Sequence, residues 1–129
     1  MATAKTTATP VALDTSCWLE VFSSGTMAAH YNGVAQHPAR LVVPIITIYE
    51  VFKKLLRVAD KETAMQAVIW MEYGRVVDID RNLALEAAAN GLPLADSLIY
   101  ATAQAHSATL WTQDAHFEGL PGVKYFAKK

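Results

Sequence analysis

The chain alternates short apolar runs with longer stretches of helical periodicity. "VALDTS", residues 11–16, is an apolar run that ends in Asp, Thr and Ser, the pattern of a buried strand turning into a helix cap. A helix is expected over Ser16–Phe22, and a second over Thr26–Gln36, where Met27, Tyr31, Val34 and Ala35 fall at helical spacing. "ARLVVP" reads as the second strand, ended by Pro44. The clearest helix is predicted over Thr47–Ala59: Ile48, Val51, Phe52, Leu55, Leu56 and Ala59 make an apolar stripe, and Glu50, Lys53, Lys54 and Arg57 fall on the other face.

Asp60–Tyr73 predicts another amphipathic helix, stopped by Gly74, and "RVVDI" a third short strand. Asp80 is placed to cap an alanine-rich helix ending at Asn90-Gly91, and Pro93 to open a helix running to about His106. Thr109–Thr112 and "VKYF" complete the set as a fourth and a fifth strand. Strands alternating with helices imply an α/β layer fold with a largely parallel sheet. Ligands of such sheets bind beyond the carboxyl ends of the strands, so the residues that follow each strand carry the functional question.

Length and composition narrow the setting. A chain of 129 residues suits one domain with a real core. The expected division is a flexible tail over 1–10 and a single domain over 11–129. The longest nearly apolar run, Leu41–Tyr49, is interrupted by Pro44 and is far shorter than the ~20 residues that cross a bilayer, and the opening segment has no apolar block, so a cytoplasmic protein is expected. Cys17 is the single cysteine, which excludes an internal disulfide framework; beside a strand and next to Trp18 it reads as core filler. A formal net charge of −1 argues against a broad basic face for duplex DNA, though not against a local basic stripe.

The carboxylates carry the chemistry. Asp14 ends the first strand and Asp114 follows the fourth, so a parallel sheet brings both to one rim. Asp96 and Glu50 are expected in the first turns of helices that begin at that same rim. Each acid also has an ordinary structural reading. Asp14 can cap the next helix, Asp96 can answer a helix dipole, and Asp114 can serve a turn. Glu50 stands three residues after Thr47, as in a capping box, and four before Lys54. Four acids on one rim, however, repel one another unless a cation intervenes, and an all-oxygen set points to Mg²⁺ or Mn²⁺ rather than zinc. Ions held in this way commonly act on phosphate esters, which suggests phosphodiester hydrolysis. Lys53, Lys54 and Arg57 are candidates for holding a nucleic-acid backbone, against the alternative of a solvated helix face. Trp18, Trp70 and Trp111 are expected to pack in the core rather than stack bases, and His116 reads as exposed loop rather than ligand.

With these residues in place the sequence resembles PIN-domain proteins, and specifically the VapC-type toxins of bacterial and archaeal toxin–antitoxin pairs. Four segments carry the resemblance in order: "LDTS" with Asp14, "ITIYEVFKKLLR" with Glu50, "LPLADSLIYATA" with Asp96 and "LWTQDAHF" with Asp114. The resemblance implies a three-layer α/β/α fold and endonucleolytic RNA cleavage with Mg²⁺ or Mn²⁺. It implies catalytic roles for Asp14, Glu50, Asp96 and Asp114, with metal ligation by Asp14, Asp96 and Asp114, and Ser16 orienting the first acid or a water. It further implies a homodimer and a VapB-like antitoxin whose tail blocks the pocket, with DNA bound only indirectly through that antitoxin. The ten-residue leader departs from the family's usual pattern. Competing readings are a PIN nuclease of RNA processing or decay, a non-catalytic binding module whose acids are caps and surface charges, and phosphotransfer through Asp14. The last is disfavoured because "DTS" lacks the second Asp of haloacid-dehalogenase-type phosphotransferases.

Overall fold

A computed structural model describes residues 9–128 of the chain; most of the expected N-terminal tail lies outside the described residues. The described part of that leader is tied to the sheet. Pro10 O accepts from Thr109 N at 2.8 Å, and Thr9 O accepts from the Arg40 guanidinium at 3.2 Å.

The elements run β1 (Val11–Leu13), α1 (Thr15–Ser23), α2 (Ala28–Ala35), β2 (Val42–Pro44), α3 (Ile45–Val58), α4 (Lys61–Met71), β3 (Arg75–Val77), α5 (Arg81–Ala89), α6 (Leu94–Ala105), β4 (Thr109–Thr112) and β5 (Val123–Tyr125). Short 3₁₀ turns at Pro38–Arg40 and Ala115–Phe117 precede β2 and follow β4. Among the described residues no helix is long and apolar enough to cross a membrane.

Every strand pairing is parallel. β4 lies between β1 and β5, β2 pairs with β3, and a bridge from Val11 to Leu41 sets β2 beside β1. The resulting order is β3-β2-β1-β4-β5, in which the direction of winding reverses between β1 and β4. Strands buried on both faces need apolar side chains on both. In β1, Val11 and Leu13 enter one core with Cys17, Trp18, Tyr31, Val51 and Met71, whereas Ala12 enters the other with Ile99, Ala103, Leu110 and Phe117. In β2, Val43 and Val42 divide between the same two cores. Helices α1 to α4 therefore cover one face and α6 the other, giving the expected three layers.

The helix starts follow local chemistry. Asp60 accepts from Thr63 N at 2.7 Å and Asp80 from Leu83 N at 2.8 Å, each an N-cap that satisfies an otherwise unpaired backbone N–H of its helix. Gly74 closes the turn from α4 into β3 against β2: a Cβ there would stand 2.9 Å from the Val43 Cγ2 atom.

Helix α3 departs from expectation. It begins at Ile45 rather than Thr47, with Pro44 at its cap, and the Thr47 hydroxyl donates back to Pro44 O at 2.6 Å. Thr47 is thus a buried residue of the first turn, and Glu50 belongs to the second turn and not to a capping box. Proline at the strand end already fixes an extended φ/ψ and turns the chain, so the helix needs no hydroxyl cap to start. The third strand is also shorter than "RVVDI", because Asp80, two residues past Asp78, is committed to capping α5.

Candidate active site

A cavity of about 620 Å³ opens beyond the carboxyl ends of β1 and β4, at the point where the strand order reverses. Asp14, Ser16, Glu50, Lys53, Lys54, Arg57, Asp96 and Asp114 all line it. Each arrives on a different support. Asp14 is the last residue before α1, Glu50 lies on α3, Asp96 sits in the first turn of α6, and Asp114 follows β4.

Asp14 is the deepest of the four, 5 % exposed. One carboxylate oxygen accepts from Thr15 N at 2.8 Å; the other accepts from the Thr112 hydroxyl at 2.7 Å and, more loosely, from the Ser16 hydroxyl at 3.5 Å. Burial pushes its pKa up to about 6 against the opposing pull of the Thr112 and Thr15 hydrogen bonds, and the charges of Asp96 and Asp114 add to the rise. Asp14 therefore caps α1, as one reading of the sequence has it, and faces the cavity as well.

Thr112 also accepts from Asp114 N at 2.9 Å, so one buried hydroxyl joins the first acid to the fourth. On the opposite wall the Thr15 hydroxyl donates to Glu50. Asp96 is held above its ordinary pKa by desolvation and by the neighbouring Asp114, with His116 acting the other way. His116 Nδ1 lies 3.2 Å from an oxygen of Asp96 and 3.2 Å from one of Asp114.

The acids are not equally close. Among the described residues, Asp96, Asp114 and His116 form the group whose potential ligand atoms all fall within 4.8 Å of one another, and Asp14 and Glu50 stand outside it. The donor chemistry nevertheless fits a divalent cation. The charges of Asp96 and Asp114 raise the pKa of Asp14, and that of Asp114 raises Asp96, all within one cavity, the situation a bound cation relieves.

Sequence reasoning gave no site role to three residues that line or brace the cavity: Thr15, Thr112 and Gln113. Gln113 is buried and lines the cavity, with its carboxamide beside the buried Tyr31 hydroxyl. The two threonines read as ordinary cap and strand residues, and the signal that distinguishes them is only their position beside an acid at a strand end. Cys17 is core filler as expected: it is fully buried, and burial pushes its thiol up to about 12, far from a thiolate. Trp18 is core too, but Trp70 is 43 % exposed, its indole N–H donating to Ala35 O at 3.3 Å; no tryptophan lines the cavity.

The family profile of the PIN domain matches residues 11–123. The chain belongs to the PIN-domain family. Solved structures of similar fold include toxin–antitoxin proteins. It is similar to a chain of a toxin–antitoxin complex from Klebsiella pneumoniae, with 25 % identity and a TM-score of 0.73 over 88 % of this chain and 95 % of that one. It shares its fold with a chain of VapBC2 from Rickettsia felis bound to a DNA fragment from their promoter, at 15 % identity and TM-score 0.68 over 91 % and 98 % of the two chains. It also shares it with VapC20 of Mycobacterium tuberculosis, described as a sarcin–ricin loop cleaving toxin, at 15 % identity and TM-score 0.69 over 86 % and 95 %. No curated protein matches the chain significantly. In this PIN domain all four acids of the resemblance are thus on the wall of one cavity, and the basic face of α3 lies beside them.

Proposed function

We propose that this PIN domain is a metal-dependent endoribonuclease that hydrolyses RNA phosphodiester bonds and acts as the toxin of a toxin–antitoxin pair. The observation that carries the reading is the cavity wall itself: Asp14, Glu50, Asp96 and Asp114 share it with Lys53, Lys54 and Arg57. Acids suit a cation and bases suit a phosphate backbone, and a nuclease needs both in one place.

Asp14 and Asp96, with Asp114, would hold Mg²⁺ or Mn²⁺. When bound, such an ion polarises the phosphoryl oxygen and lowers the pKa of the attacking water. Thr112 keeps Asp14 and Asp114 in a fixed relation, and Ser16 and Thr15 orient Asp14 and Glu50. Glu50, on α3 across the cavity and accepting from the Thr15 hydroxyl, is assigned the proton from the water as it attacks. Lys53, Lys54 and Arg57 would bind the RNA backbone by charge. A toxin of this kind would work in the cytoplasm as a homodimer, held in check by a VapB-like antitoxin whose tail fills the cavity. The likeness to toxin–antitoxin structures supports that role.

Purified protein should cleave RNA only with Mg²⁺ or Mn²⁺ present, and Asp14→Asn or Asp96→Asn should abolish cleavage. If both variants cleave as the parent does, the site is wrongly assigned. Induced expression without the antitoxin should arrest growth, and harmless expression of an active nuclease would move the protein to RNA processing.

A further inference from the structure

We propose that His116 is itself a ligand of this ion site and that its imidazole makes the site favour Mn²⁺ over Mg²⁺. The inference rests on the metal-dependent reading above and replaces its all-oxygen ligand set with a mixed one.

The geometry is that of a coordination face. Around an octahedral ion with ligand bonds of about 2.0–2.2 Å, adjacent donor atoms stand √2 bond lengths apart, about 2.8–3.1 Å. The imidazole nitrogen is 3.2 Å from each of two carboxylates, on α6 and on the loop after β4. A shift of about 0.1–0.4 Å would bring both spacings into that range. The ring's approach follows from the fold, because Asp114 caps the 3₁₀ turn by accepting from His116 N at 2.9 Å, which turns that residue back toward the acids.

Donors from separate places in the chain meet here: among the described residues, Asp96, Asp114 and His116 are the group whose potential ligand atoms all lie within 4.8 Å of one another. Magnesium takes oxygen donors and dehydrates reluctantly, whereas imidazole suits first-row transition ions, so a nitrogen on this face shifts selectivity toward manganese. An exposed His–Asp pair with no ion would show the same spacing, and that is the alternative the experiment must separate.

Isothermal titration of Mn²⁺ and of Mg²⁺ into the parent, His116→Ala and His116→Gln gives the affinities. Electron spin-echo modulation of the Mn²⁺-loaded proteins reports directly whether nitrogen is bound. The parent should show nitrogen-14 modulation that both variants lack. Mn²⁺ affinity should fall about tenfold or more while Mg²⁺ affinity stays within about twofold. Mn²⁺ bound without nitrogen modulation, or bound equally by the variants, overturns the assignment of His116. A parent that binds neither ion overturns the metal-dependent reading as well, so the two failures are distinguishable. The imidazole is 62 % exposed, and circular dichroism of both variants should match the parent.

Discussion

Thr112 shows what a single residue contributes to this site. Its hydroxyl donates to Asp14 and accepts from Asp114 N, so two acids from neighbouring strands are set by one fully buried oxygen. Thr112→Val keeps the shape and removes both bonds, leaving an oxygen of buried Asp14 short of its closest side-chain donor. We expect a loss of roughly 1–3 kcal/mol in urea unfolding, and cleavage slowed at least about tenfold. Thr112→Ser should restore most of both. A valine variant as stable and active as the parent would show that the bridge is incidental. The acids themselves were legible in the sequence because a carboxylate just past an apolar strand is a local signal. The hydroxyls were not, since threonine belongs in strands and caps for ordinary reasons. What makes Thr112 matter is Asp14, 98 positions away, and what makes Thr15 matter is Glu50, 35 positions away. His116 is exposed beyond β4 as the sequence suggests, and the approach of Asp96 to its ring is a tertiary fact that no local pattern carries.

At the scale of the element, α3 separates what periodicity can and cannot give. The centre of its buried face was read correctly although its start was not, because the phase of a helix is set by the side chains it buries, here Val51 and Leu55. Leu56 and Ala59, also assigned to the apolar stripe, are exposed. The false start came from Thr47 and Glu50, whose spacing imitates a capping box while the two side chains turn to Pro44 and Thr15. The phase has a functional result. Glu50, Lys53, Lys54 and Arg57 stand at i, i+3, i+4 and i+7 and line the cavity together. If the basic residues hold single-stranded RNA by its phosphates, Lys54→Ala combined with Arg57→Ala should raise KM and leave kcat nearly unchanged. The slope of log affinity against log salt should flatten by roughly 1.4, since each phosphate contact contributes about 0.7. Filter binding across a salt series checks this, and an unaltered slope would return these side chains to the solvated helix face.

At the scale of the whole molecule, the parallel order β3-β2-β1-β4-β5 gathers carboxylates where the winding reverses, and it does so at a cost in stability. Burial is the main reason that Asp14 titrates at about 6 in the fold instead of 3.8. The folded state then binds more protons than the unfolded chain between those values. Its stability is greatest below about pH 4, as far as this group decides, and falls as pH rises through about 6. The difference amounts to roughly 3 kcal/mol for Asp14 alone. Asp96 has the same direction for the same leading cause. Metal-free protein should therefore melt at a higher temperature at pH 5 than at pH 8. An ion that binds only the folded state stabilises by about 2.7 kcal/mol at a hundred times its Kd, enough to raise the pH 8 midpoint by on the order of 5–10 °C. Asp14→Asn carries no charge to bury. It should melt higher than the parent at pH 8 without metal, lose most of the pH dependence, and respond little to Mn²⁺. Calorimetry of both proteins at the two pH values, with and without Mn²⁺, checks the whole set. A parent insensitive to pH, or an asparagine variant less stable than it at pH 8, would mean that the four-acid site is not held at the expense of the fold.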